Sequence, residues 1–595
     1  MCGIAGIVGA DRMGDVRGPL DRMHAAIGHR GPDDRGAWRS ARQHAAFVHT
    51  RLSIIDPSPA GHQPMATANE RFTITYNGEI YNFAELRASL VGGGVTFRSH
   101  SDTEVILRLY EAQGPAFVAR LRGMFAMAIW DEQERSCFMA RDRFGIKPLY
   151  YHEAGGVLTF ASEVRALLAA GVPAATDATA AYQYFRSGSV SDPLTLIHGV
   201  RAVEAGHYVV WQDRRLITRR YWELTFPDAQ PAGDAAAVTR QALLDSVAHH
   251  FVSDVPVGVF LSGGMDSTAI VALARTLRGG ELRTFSLAFP GSPLDEGPEA
   301  RRTAAHFGTT HHEWALDGAT ARRLFDEFMA SADQPSIDGF NTFSICRLAR
   351  QHDTKVVLSG LGADELFGGY PSFRRVPRLA RLGRLARLGG RLSAAAVRAA
   401  GEVGGSRVRR LNDLMSLPVN LENAYAVFRG IYTRDEARAL TAHYVGGADA
   451  IDEASAPAGH DPTAEDGVSR LELTLYMRNQ LLRDADVMSM ASGVEVRVPF
   501  IDSQLFDQLS QLPAEQRLQP RKGLLLTAVP EIPEWVTNRP KRGFFLPIEH
   551  WFEHEWAGSL PEPDVPAAIR TDTWYRKWSL LAFEQWRQRV TPQHV

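Results

Sequence analysis

Cysteine is scarce: Cys2, Cys137 and Cys346 are the only three in 595 residues, too few and too scattered for a disulfide framework. No apolar run approaches the roughly 18 residues a membrane helix needs, and the start, Met1-Cys2-Gly3-Ile4-Ala5-Gly6, lacks the basic region of a secretory signal. Charge of one sign is missing too: 65 Lys and Arg stand against 68 Asp and Glu, a net of −3. That balance gives no bulk pull toward nucleic acid or an anionic membrane, so neither is expected as a partner. The histidine pairs His249-His250 and His311-His312 have neither ligand spacing nor cysteine partners, which argues against zinc catalysis. What is there is an ordinary globular composition, 45% hydrophobic and 22% charged. It predicts a cytoplasmic chain of several domains.

The first ~210 residues read as strand-rich. Phe72-Thr73-Ile74-Thr75-Tyr76 alternates apolar and polar before Asn77-Gly78, which predicts a strand and then a turn. Gly123 to Trp130 reads as a buried strand ended by the polar run Asp131 to Arg135. Residues 226–234 collect Pro, Gly and Asp and are the expected linker. Beyond it, Val255 to Leu261 is an apolar run leading into Ser262-Gly263-Gly264 and a helical stretch from about Asp266 to Leu277. Lys355-Val356-Val357-Leu358 repeats that arrangement into Ser359-Gly360 and a helix near Asp364. Strand, glycine turn and helix, repeated, argue for a parallel sheet with ligands at the strand C-terminal ends. Two domains are therefore expected, 1–225 and 235–595.

Cys2 becomes the first residue if Met1 is removed, and then carries a thiol and an α-amine of pKa ~8 that serves as its own base. A cysteine at position 2 means little alone; the motifs that follow it change that. Cys2-Gly3-Ile4-Ala5-Gly6, His29-Arg30-Gly31-Pro32-Asp33, Arg51 to Asp56, Tyr76 to Asn82 and Ser101-Asp102-Thr103-Glu104 occur in that order, followed by Arg141 to Tyr150 and Ala161-Ser162-Glu163. Together they resemble the glutaminase domain of class II glutamine amidotransferases, which are N-terminal-nucleophile hydrolases with an αββα sandwich fold. The resemblance implies Cys2 as nucleophile, with the Asn77 side-chain amide and the Gly78 N–H as donors to the tetrahedral oxyanion. It also implies a glutamine pocket of Arg51, Leu52, Ile54, Asn77, Gly78, Glu79 and Asp102. There Arg51 clamps the α-carboxylate and Asp102 pairs the α-ammonium.

Ser262-Gly263-Gly264-Met265-Asp266-Ser267, after a buried strand, makes an anion cradle of glycine amides, hydroxyls and a helix N-terminus. No G-x-x-x-x-G-K-[ST] motif occurs, so it is not a γ-phosphate loop. The pattern resembles the pyrophosphate loop of ATP pyrophosphatases, which split ATP between the α and β phosphates. Ser359 to Tyr370 supplies a second loop. Asp266 and Asp364 are the natural Mg²⁺ ligands, since Mg²⁺ in phosphate sites takes one or two carboxylates. The stretches Arg483 to Met490, Val496 to Asp502 and Arg539 to Phe544 extend the likeness. The whole chain resembles a glutamine-hydrolysing asparagine synthetase: an αββα glutaminase sandwich followed by a parallel-sheet α/β domain with extra helices. That implies ATP contacts at Leu261, Ser262, Gly263, Gly264, Asp266, Ser267, Leu287, Ser359 and Gly360, with Lys541 neutralising charge at the α-phosphate. It also implies glutamine and a carboxylate as substrates, an acyl-AMP intermediate and ammonia passing through an internal tunnel. A homodimer is the expected assembly.

Two departures bear on the acceptor. Asparagine synthetases carry Glu between the glycines of S-G-E-G-x-D-E, where this chain has Leu361, and no Arg lies in 331–345, where they place a Thr-x-x-Arg segment. Either a variant site binds aspartate through other groups, or the acceptor is a different carboxylate: a sugar acid, a natural-product precursor or an acyl group on a carrier protein. A β-lactam or macrolactam ligase would share the synthetase half but not a complete glutaminase site, and a non-enzymatic scaffold would not keep both nucleotide loops. One segment is compositionally odd. Residues 374–410 hold 11 arginines and a single acid, Glu402, with leucines at 379, 382, 385, 388 and 392. The spacing predicts a basic amphipathic helix whose leucines pack on the body, or a docking surface for an acidic carrier.

Overall fold

The alternation at Phe72 does become a strand, but it does not stop at Tyr76. In the computed structural model, which describes residues 2–9, 11–229, 233–388, 409–447, 451–452, 459–539 and 546–590, the strand Phe72–Ile80 runs straight through Asn77 and Gly78. Both stay on the ladder, Asn77 opposite Ala126 and Gly78 opposite Phe125. The expected turn is absent because the partner strand Gly123–Asp131 continues alongside to the end. A side chain at Gly78 would put its Cβ 2.1 Å from the Met124 carbonyl oxygen, so the close approach of the two strands requires glycine there.

The N-terminal half is built from two six-stranded sheets. One runs Arg201–Ala202, Tyr150–Ala154, Val157–Ala161, Gly3–Gly9, Ala45–Arg51, Asp34–Arg39; the other Arg215–Arg220, His207–Gln212, Ser136–Arg141, Gly123–Asp131, Phe72–Ile80, Met65–Ala66. All their pairings are antiparallel. The inner faces meet through Ile4, Val8, Phe47 and Phe160 from the first sheet and Ala128, Trp130 and Met139 from the second. Helices Arg17–Ala26 and Val164–Ala170 cover the outer face of the first, and Phe83–Gly92 and Asp102–Gln113 that of the second. The order of layers is αββα.

The C-terminal half centres on a five-stranded sheet ordered Thr310–Ala315, Arg283–Ala288, Val257–Phe260, Val356–Leu358, Glu495–Arg497, all parallel. The connections from Val257–Phe260 build outward to one side, and the chain then returns to add Val356–Leu358 on the other. That reversal leaves a crevice at the C-terminal ends of these two strands, where ligands bind in open α/β sheets. The Ser262 and Ser359 loops both start there, so close together that a Cβ at Gly360 would sit 3.0 Å from the Asp266 backbone.

The two halves share core. Phe226, inside the expected linker, is buried 5.3 Å from Phe506, and Phe144 lies 5.8 Å from the same ring. Residues 230–232 of that linker lie outside the described residues, as do 389–408 of the basic segment and 540–545, which include Lys541. Among the described residues no helix is long and apolar enough to cross a membrane.

Candidate active sites

Cys2 leads into the strand Gly3–Gly9 and is buried. Its backbone N–H donates to Asn77 Oδ1 at 2.9 Å. An N–H can only donate, so the amide oxygen faces Cys2 and the other end of the Asn77 amide is left over. That atom, Nδ2, is buried with no hydrogen-bond partner among the described residues. An unsatisfied buried donor costs about 1–3 kcal/mol, and one held beside a thiol is what a developing oxyanion requires. Burial pushes the Cys2 thiol up, opposed by a hydrogen bond from the Leu52 backbone and by the Arg51 charge. The Cys2 carbonyl accepts from Arg30 Nε at 3.0 Å, and Arg30 is anchored by Glu163 at 2.8 Å and by Asp486 of the C-terminal half at 2.7 Å.

The expected glutamine residues stand near one another on the ends of these strands. Arg51 ends the strand Ala45–Arg51, and its guanidinium donates to the carbonyls of Ile55, Asp56 and Ser58. Its own loop therefore pins it, which the sequence did not foretell. Leu52 and Ile54 are buried beside it. Asp102 opens the helix Asp102–Gln113, and its Oδ2 accepts from Tyr76 Oη at 2.9 Å and Ile80 N at 3.1 Å. Burial outweighs those bonds and pushes Asp102 up to about 6. Glu79 is driven well above the usual carboxylate range by burial and then by the neighbouring Glu495.

In the C-terminal half the Ser262 loop closes on itself. Ser262 N–H donates to Ser267 Oγ at 3.1 Å, Gly264 N–H to Ser262 Oγ at 3.1 Å, and Gly263 N–H to Glu296 at 3.2 Å. The 13-residue helix Met265–Leu277 starts from this loop, so its N-terminal N–H groups and dipole favour an anion there. All the expected ATP residues, Leu287 included, line one cavity of about 1440 Å³, together with Asp364 and Leu361.

Asp266 and Asp364 meet at a single point. Lys522 Nζ lies 2.5 Å from a carboxylate oxygen of each. Burial works against its charge, yet the two carboxylates hold Lys522 above its ordinary value. Two hard oxygen donors converging where a cation already sits fit Mg²⁺, which takes its remaining ligands from phosphates and water. Lys522 escaped the sequence reading because Arg521-Lys522-Gly523 matches no motif. Its structural mark is backbone strain: Arg521 and Lys522 adopt φ of 58° and 59°, a region costing non-glycine residues about 1–3 kcal/mol. Close packing contributes as well, since a Cβ at Gly369 would lie 1.7 Å from Asp364 Oδ1 and 2.5 Å from Lys522 Cε. Arg539, two residues before Lys541, donates to the Gly263 carbonyl at 3.3 Å and also lines the cavity.

The acceptor is expected at the Ser359–Leu361 end of this cavity. Leu361, Ile337 and Asp338 line it, and the Ser336 hydroxyl donates to Asp484. Burial pushes Asp484 and Glu365 each up to about 8.

A glutamine amidotransferase domain model matches residues 1–222, and an asparagine synthase model matches residues 238–587. The chain is 35% identical over 590 residues to "Asparagine synthetase [glutamine-hydrolyzing] 1" of Bacillus subtilis, covering 96% of this chain and 92% of that one. It is 33% identical over 652 residues to "Putative asparagine synthetase [glutamine-hydrolyzing]" of Mycobacterium tuberculosis H37Rv, covering 98% and 97%. It is also 28% identical over 584 residues to "Amidase chyE" of Penicillium rubens, covering 89% and 85%.

Proposed function

This chain belongs to the asparagine synthase family, and from that premise we propose a reaction in three parts. The N-terminal half hydrolyses glutamine to glutamate and ammonia. The C-terminal half activates a carboxylate with ATP as an acyl-AMP, releasing pyrophosphate. Ammonia then displaces AMP to give the amide.

Cys2, freed of Met1, attacks the glutamine carboxamide as its thiolate, its α-amine taking the proton. Asn77 Nδ2 and the Gly78 N–H hold the oxyanion. The N–H groups of Arg51 not spent on its loop receive the α-carboxylate, with Asp102 and Glu79 at the α-ammonium. The buried interface between the halves keeps released ammonia unprotonated by excluding water. At the second site, the Ser262–Ser267 loop, Lys522 and Arg539 cradle the phosphates and Lys541 neutralises the α-phosphate. Mg²⁺, held by Asp266 and Asp364, would supply charge neutralisation of the leaving pyrophosphate.

The observation that carries this reading is the Asn77 amide: one end fixes Cys2 and the other is buried and unpartnered. The test incubates the protein with glutamine, Mg²⁺-ATP and aspartate, following asparagine and pyrophosphate together. Matched production of both establishes asparagine synthesis. A Cys2→Ala protein then loses glutamine-driven turnover and keeps turnover with ammonium salts; indifference to that change rejects the amidotransferase reading.

Leu361 favours a second reading of the acceptor. A leucine neither accepts a proton nor holds an ammonium group, so a carboxylate other than aspartate fits this wall: a sugar acid, a natural-product precursor or a carrier-bound acyl group. Likeness to a protein named as an amidase agrees with that breadth. Glutamate release without asparagine or pyrophosphate would select it.

A further inference from the structure

The cavity does not end at Leu361. At about 1440 Å³ it exceeds the roughly 300–1,000 Å³ of common small-molecule sites, and part of its wall comes from the basic helix Ser372–Leu388. That helix buries Phe373, Val376 and Ala380 against Leu414, Ala424 and Val427. Of the leucines expected to pack on the body, Leu379 does so beside this cluster, whereas Leu382 is 60% and Leu385 63% exposed. Leu382 and Leu385 are left out because Val376, Ala380 and Gly383 form the stripe that meets the neighbouring residues closely. A Cβ at Gly383 would lie 2.9 Å from Val419.

The residues this helix turns to the cavity are Arg375, Arg378, Leu379 and Leu382. Their spacing of three, four and seven puts them on one stripe, about 10 Å long at 1.5 Å per residue. That is nearly three times the ~3.5 Å a fully extended residue spans. The two arginines differ from others on the same wall. Arg186 is paired with Asp413 at 2.6 Å and Arg429 with Glu472 at 2.6 Å. Arg375 and Arg378 have no side-chain hydrogen bond or ion pair among the described residues. Two exposed guanidinium groups without an acidic partner, beside two leucines, on the wall of the cavity that also holds the nucleotide loop, make a surface for something long, apolar in the middle and anionic at the end.

We propose that the acceptor is an extended carboxylic acid, its reacting carboxyl at the Ser359–Leu361 end, its chain over Leu379 and Leu382, and a second anionic group at its far end bound by Arg375 and Arg378. This rests on the amide-ligase reading and names the substrate class it leaves open. The far anion is either part of a free molecule or the phosphate of a phosphopantetheine arm on an acidic carrier; the guanidinium chemistry is the same for both.

ATP–pyrophosphate exchange by the full chain separates these cases. The probes are aspartate, free α,ω-dicarboxylic acids of four to twelve carbons, and a ten-carbon diacid carried as a thioester on an acidic acyl carrier protein. Exchange is expected to rise at least tenfold from the four-carbon to the ten-carbon acid, free or tethered, and the arm that responds identifies the source. R375Q/R378Q abolishes the rise, R375K/R378K retains most of it, and the melting midpoint stays where it was in both. Exchange strongest with aspartate, or the same length dependence in R375Q/R378Q, overturns the assignment and leaves the ligase reading standing. Exchange with none of the acids, aspartate included, overturns this assignment and leaves the amidotransferase reading to the Cys2→Ala comparison.

Discussion

The Arg497 guanidinium lies 3.5 Å from Glu79 Oε2, and the two residues belong to opposite halves of the chain. Glu79 stands in the expected glutamine pocket. Arg497 ends the strand Glu495–Arg497, holds Glu495 at 2.6 Å, and accepts at its carbonyl from the Ser359 N–H at 2.8 Å. One fully buried residue thus touches the pocket that would release ammonia and the loop where ammonia would be consumed.

Removing that cation strands two buried carboxyls. Arg497→Met should therefore destabilise the protein by about 3–5 kcal/mol, read as a lower midpoint in urea unfolding. A loss under about 1 kcal/mol would mean that Glu79 and Glu495 are not held by this charge.

Asn77→Ala deletes the unpartnered donor. Glutamine-driven kcat should fall by about 10²–10³, the usual cost of one oxyanion donor, while the KM for glutamine changes little and turnover with ammonium salts persists. Steady-state kinetics with both nitrogen sources make the comparison.

Asp102, lifted to about 6 by burial, is ionised at pH 7.5 and takes up a proton as the pH falls through 6. Only the carboxylate attracts an α-ammonium, so the KM for glutamine should climb between pH 7 and pH 5. Asp102→Asn should raise that KM at every pH and flatten the profile. Folding carries the opposite sign: a carboxyl with a raised folded-state pKa loses stability as pH rises from its unfolded value through 6. The Asn variant should accordingly melt higher than the parent at pH 7.5 when glutamine is absent.

Lys522 occupies the point between Asp266 and Asp364. Lys522→Gln should weaken pyrophosphate release by at least tenfold, yet tighten Mn²⁺ binding by the nucleotide-free protein, because the competing ammonium is gone. Electron paramagnetic resonance titration of free Mn²⁺ reads the second effect, and unchanged Mn²⁺ affinity would place the metal elsewhere.

Leu361→Glu restores the residue that the resemblance calls for. Pyrophosphate release with aspartate should increase at least tenfold over the parent, and release with a long diacid should fall, since a carboxylate would then stand in the path of an apolar chain. Acceptor-dependent pyrophosphate assays measure both.

Residue order alone makes the local pieces of the chain readable. Cys2 with its glycine-rich strand, the Ser262-Gly263-Gly264 turn between strand and helix, and the Asp266 and Asp364 carboxylates were legible because a short stretch of backbone fixes their geometry. Whatever depends on which surfaces meet waits for packing. Asn77-Gly78 reads locally as a turn, but pairing with Ala126 and Phe125 keeps it in a strand. Lys522 carries no motif, and only the packing of Gly369 against it delivers its ammonium to an aspartate 256 residues away. The leucines after Arg374 have the period of a packing face. The helix instead turns Phe373, Val376 and Ala380 to the core with Leu379 at their edge, and Arg375, Arg378 and Leu382 are left on the cavity wall. Spacing along a chain gives the direction a side chain takes from its own helix or strand; what it meets there is set by elements hundreds of residues distant.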